Sequence, residues 1–154
     1  MTASLVFTVP GPPVATARAG RHFNPKTGKA HSFTPAKTAD FKNQVRLEFH
    51  CAYPNFIPVS GPISMNLKIY MPIPQSMTKR ERAIAESDET ALPHIKKPDG
   101  KNIRWGIEDA LEGLAFVNDS QVCKYSDSKT YSPRPRVEIS ISQIQLPTGA
   151  DNKS

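Results

Sequence analysis

The sequence predicts a single α+β domain, a small mixed or antiparallel sheet packed against two or three helices. Two segments alternate apolar and polar residues with a period of two, two others repeat apolar residues at helical spacing, and 154 residues suit one compact domain. Hydrophobic residues, at 38 %, are enough for a core, while 15 prolines spread along the chain predict short elements and long connections.

Ser4–Val9 is β-rich and is stopped by Pro10-Gly11-Pro12-Pro13, which reads as a strand and a loop. The basic segment from Arg18 to Thr34, with His22, Phe23, His31 and Phe33 interleaved, reads as a mobile arm or a loose hairpin. Thr34 as N-cap and Pro35 in the first turn open a helix over Pro35–Cys51. Phe41, Val45 and Phe49 form its buried stripe, and Pro54 ends it.

Ile63, Met65, Leu67, Ile69 and Met71 share one face of a half-buried strand. Thr78–Glu86 follows as a charged helix, with Thr78 as its cap and Glu81 completing a capping box. Its run Lys79-Arg80-Glu81-Arg82 reads as a solvated face. Asp99 opens another helix, whose apolar positions are Ile103, Ile107, Ala110, Leu111 and Leu114, with Gly113 near its end. Strands at Gln121–Lys129 and Arg136–Ile144 complete a domain over residues 1–146, and 147–154 read as a frayed tail.

The formal net charge of +6 favours a polyanionic partner, because Lys and Arg displace counterions from a phosphate backbone. Between Arg18 and Arg46 the cations are Arg18, Arg21, Lys26, Lys29, Lys37, Lys42 and Arg46, against the single acid Asp40. Cys51 and Cys123 lack metal-ligand spacing and are expected to be buried. With no leader and no apolar run long enough for a bilayer, no membrane association is expected, and a reducing cytoplasm is the expected home. No Gly-rich phosphate loop, nucleophile elbow or Cys/His cluster supports a small-molecule enzyme.

Metal-assisted phosphodiester hydrolysis needs several carboxylate oxygens around Mg²⁺. Asp99 and Asp119 flank one predicted helix, and they meet only if the chain after the helix folds back along it. Read by themselves, Asp99 is more simply an N-cap and Asn118-Asp119-Ser120 a turn. Trp105, the sole Trp, reads as a core or dimer-interface aromatic, with a base-stacking wedge as the sharper alternative. His22, His31 and His94 lack ligand spacing and are expected at the surface or in hydrogen bonds.

The run Lys97-Pro98-Asp99, Asn102, Asp109-Ala110-Leu111, Gly113 and Asp119-Ser120-Gln121-Val122 resembles the core motif of the RusA family of Holliday-junction resolvases. The resemblance extends to Phe7–Pro13 with Arg18, to Phe33-Thr34-Pro35, to Met71-Pro72-Ile73-Pro74 and to Tyr131–Ile141. It implies an α+β homodimer that binds four-way junctions and cuts them symmetrically, with Mg²⁺ or Mn²⁺ held by three Asp and assisted by a Lys. It also implies a role in recombination, repair or phage DNA processing, with a phage or prophage protein in a bacterial cytoplasm as the setting. Carried over by position, Asp99 and Asp119 are the implied metal ligands and catalytic residues, and Lys97 joins the implied DNA contacts.

Three positions depart from the pattern. Lys101 stands where the family has its middle Asp, Trp105 where it has its Lys, and Asn118 where it has the acid before the last Asp. Lys101 or Arg104 is the candidate to replace the missing charge-stabilising Lys, and Asp109, Glu108, Asp127 or Glu138 to replace the missing carboxylate. The alternative is a catalytically impaired DNA-binding or regulatory protein of the same fold.

Overall fold

The elements run β1 (Ser4–Pro10), β2 (Gly20–Asn24), β3 (Lys29–Phe33), α1 (Ala36–Ala52), β4 (Ile63–Pro72), α2 (Lys79–Ser87), α3 (Gly100–Leu111), β5 (Val122–Ser132) and β6 (Arg136–Gln143). A 3-10 turn at Asp119–Gln121 leads into β5. These come from a computed structural model that describes residues 4–16, 20–33 and 36–148, with backbone only at 20–24 and 29–33. The predicted α1 cap, Thr34-Pro35, lies outside the described residues, as do residues 149–154 of the expected tail.

The main sheet has the order β1-β6-β4-β5, antiparallel throughout except for the parallel pair β4–β5. The fold is α+β and the sheet is mixed. A parallel pair needs a long crossover, and the chain from Pro72 to Val122 supplies it with α2 and α3. Register carries the apolar face across the sheet: Phe7 and Leu67 both pair with Ile139, and Leu5 and Met65 both pair with Ile141. Their even-numbered neighbours Val6, Thr8, Asn66 and Lys68 are exposed, so one face is covered and the other meets water.

The covering layer is α1 and α3, packed on each other. Phe41, Val45 and Phe49 of α1 and Ile103, Ile107, Ala110 and Leu111 of α3 join the β-strand residues in one core. Just past α3, Gly113 takes a φ of +83°, and its N–H donates to Phe116 O at 2.7 Å. On α2, the Thr78 hydroxyl accepts the Glu81 N–H at 3.2 Å, as the cap predicts. Lys79, Arg80 and Glu81 are exposed, while Arg82 reaches back to Pro74 O at 3.1 Å.

The basic segment forms a hairpin, with β2 and β3 antiparallel and His22 opposite His31. It is tethered beside α3, because the Thr16 N–H donates to Asn102 O at 3.0 Å and only residues 17–19 separate Thr16 from β2.

Three expectations are corrected. His94 is buried rather than at the surface, its ring 4.8 Å from that of Tyr131, because its loop is bonded to β5 through Lys129 O. Cys51 and Cys123 are free and exposed, since one ends α1 and the other lies on the sheet's edge strand. Trp105 is 58 % exposed, because it lies off the Ile103–Ile107 stripe of α3, so it is not a core residue.

Candidate functional site

Among the strands, β5 pairs only with β4, and its register decides which side chains face α3. Tyr125, Asp127 and Lys129 pair with the buried Met65, Leu67 and Ile69, so their side chains rise on the same face as α3. The period of two along β5 therefore aims one aromatic, one acid and one cation at the polar flank of the helix.

Arg104 occupies the centre of this seam. Its Nη1 pairs with Asp127 Oδ2, its Nε lies 3.5 Å from Glu108 Oε1, and its guanidinium carbon lies 4.4 Å from the centre of the Tyr125 ring. Glu108 sits one turn further along α3 with a side chain only 8 % exposed, and its Oε1 accepts no hydrogen bond. Burial pushes its carboxyl up to about 7; Arg104 opposes this, and the negative charges of Asp119 and Asp127 add to it. An acid held near neutrality by burial is a mark of functional sites.

The N-terminal end of α3 is different. Asp99 occupies the N-cap position but makes no side-chain cap, and it follows a cis Lys97–Pro98 bond. Lys129 crosses from β5 to donate to Lys96 O at 2.8 Å and Pro98 O at 2.6 Å. Burial lowers the Lys129 ammonium's pKa, and the Asp99 carboxylate works against that shift. Asp99 and Lys101 are exposed.

Asp119 belongs to the other end. Its N–H donates to Glu112 Oε2 at 3.0 Å, and Glu112 is the C-cap of α3. Asn118 and Gln121 build its turn as a reciprocal capping box. At a rise of about 1.5 Å per residue, the two caps of α3 stand roughly 20 Å apart. One chain thus keeps Asp99 and Asp119 at opposite ends of the helix, whereas Mg²⁺ holds its oxygens at about 2.1 Å. β5 does return along α3, but the return begins after Asp119 and carries Asp127 and Lys129 past the helix instead.

Among the described residues, no group of three or more His, Cys, Asp or Glu is arranged to hold a metal ion. Asp127 is taken by Arg104, and Lys101 adds a cation near Asp99. Glu138 pairs across the sheet with Thr8 and Lys68, on the face away from α3, where it bonds Arg136 at 3.1 Å. Within one chain these residues do not fit Mg²⁺.

Asp109 forms a 2.7 Å ion pair with Lys42 of α1. Arg46 donates to Asn43 at 2.9 Å. Lys37 and Lys97 are exposed, and Lys26 is exposed in the hairpin turn. Arg18 lies outside the described residues, as do the side chains of Arg21, Lys29, His22 and His31. Sequence reasoning missed Tyr125 and Lys129. Their spacing around Asp127 in a strand was the available signal, but only the parallel register says which face that row takes.

A family model described as endodeoxyribonuclease RusA matches residues 10–142. A Bacillus subtilis (strain 168) protein, described as uncharacterized protein YqaN, is 38 % identical over 138 residues, covering 90 % of this chain and 95 % of its own. No helix among the described residues is long and apolar enough to cross a membrane.

Proposed function

Since the chain belongs to the RusA endodeoxyribonuclease family, whose members resolve Holliday junctions, we propose that it binds branched DNA, four-way junctions above all, during recombination or phage DNA processing. The observation that carries this reading is the extent of the match, which runs from the end of β1 through the basic segment to the last strand. Lys26 in the hairpin turn, Lys37 at the start of α1 and Lys97 ahead of α3 are exposed cations that suit phosphate contacts. Arg18, Arg21 and Lys29 add charge to the same segment, and Lys42 and Arg46 continue it along α1. A homodimer would match the two-fold symmetry of a four-way junction.

Metal-dependent cutting with Mg²⁺ or Mn²⁺ is a second reading, favoured by Glu108. A carboxyl that titrates near 7 and feels the charge of Asp119 suits proton exchange at working pH. Asp99 and Asp119 would then hold the ion only where two copies bring them together, with Lys101 beside Asp99, and Asp109, paired with Lys42, would act only as support.

A synthetic four-way junction tests both. Binding should weaken steeply with salt, and Lys97→Ala should lower the log–log slope by about 1. A salt-independent affinity would overturn the phosphate-contact reading. Paired nicks with Mg²⁺ or Mn²⁺ that vanish in Asp99→Asn support cutting, and binding without nicks supports a DNA-binding or regulatory protein.

A further inference from the structure

The outer face of α3 carries one large apolar side chain in a charged setting. Trp105 is 58 % exposed, with Lys101 one turn before it and Asp109 one turn after, on the same row. Lys101 is exposed, and Asp109 is already neutralised by Lys42 at 2.7 Å. Of the other acids at this helix, Glu108 is buried against Arg104, and Asp99 and Glu112 stand at its two ends. The basic hairpin is tethered to the same helix, since Thr16 bonds Asn102 and β2 begins four residues later.

We propose that Trp105 stacks on an unpaired nucleobase of bound branched DNA, with Lys101 taking the adjacent phosphate. This rests on the DNA-binding reading above and adds the residue that senses unpaired bases. Protein interface cores lack charge and surround their aromatics with other apolar groups, whereas this row is Lys101, Trp105 and Asp109. A nucleobase needs one π face with a cation beside it, which this row supplies. Any base stacks, so the preference is for strand openings rather than for a sequence.

Because Trp105 is the only Trp in 154 residues, its emission reports this contact alone. The protein is titrated with a four-way junction, a fork with unpaired arms and a fully paired duplex of equal length, and binding is followed in parallel by anisotropy of labelled DNA. Junction and fork should quench the emission and shield it from acrylamide, and the duplex should do so less. Trp105→Ala should weaken fork binding by about tenfold, Trp105→Phe should restore most of it, and both should keep the wild-type circular dichroism and melting temperature. Binding to junction and fork with unchanged emission and an unaffected Trp105→Ala overturns the stacking role and leaves DNA binding standing. No binding by the wild type overturns both. Emission that shifts on dilution without DNA, with Trp105→Ala dissociating a dimer, assigns this face to a second copy and also overturns the proposal.

Discussion

The sheet carries a Glu–Arg cluster on each of its faces, and the two behave oppositely. On the face away from α3, Arg136 grips Glu89 with two nitrogens at 3.1 and 3.0 Å, the Ser132 hydroxyl donates to it at 2.7 Å, and Arg136 lies 4.0 Å from the Tyr70 ring centre. These bonds pull the Glu89 carboxyl down to about 2, with Arg136 the main cause. On the α3 face, Arg104 is shared between Asp127 and Glu108, and Glu108 is pushed up to about 7 by burial. The ingredients match, but hydrogen bonds lower one carboxyl and burial raises the other. A carboxylate with two-pronged support is a structural clamp, and a buried one with an unbonded oxygen is a group ready to change protonation.

The largest expected effect comes from breaking the satisfied cluster. Arg136→Met leaves Glu89 without its main partner and should cost about 3 kcal/mol, a fall in melting temperature of roughly 10 °C at pH 7. In the wild type, the Glu89 contribution is present above about pH 4.5 and is lost as pH falls toward 2, because its folded pKa is depressed. The variant should lose that acid limb, and an unchanged limb would mean the clamp is not what holds it.

Next comes Glu108→Gln. A raised folded pKa means that stability is fullest below about pH 4.5 and is lost as pH rises through about 7. The amide removes that loss, so melting temperature at pH 8 should rise by on the order of 5 °C, with little change at pH 4. Thermal scans at the two pH values decide it, and a drop at pH 8 would place Glu108 in a working ion pair instead.

The smallest effect separates the two partners of Arg104. Arg104→Gln should destabilise the wild type at pH 8 by about 1–2 kcal/mol and the Glu108→Gln background by less, because one of the two acids it serves is then uncharged. Equal costs in both backgrounds would assign the whole interaction to Asp127.

Much of the fold was legible from periodicity. The stripes Phe41–Val45–Phe49 and Ile103–Ile107–Leu111 and the alternation from Ile63 to Met71 are local patterns, and all of them ended in the core. Thr78 capped α2 for an equally local reason. The burial of His94 was not legible, because it depends on β5 running beside its loop. The candidate site was half legible. Asp99 and Asp119 stood out as letters in a motif, but their spacing said nothing about which end of α3 each would occupy.

Chain chemistry alone determined the element types, the excess of positive charge and the family, because propensity, charge count and motif order need no third dimension. Tertiary structure alone decided which charges meet. The parallel pairing of β4 with β5 turns Tyr125, Asp127 and Lys129 toward α3, and burial beneath that seam, not any neighbour in sequence, makes Glu108 hold its proton near neutral pH.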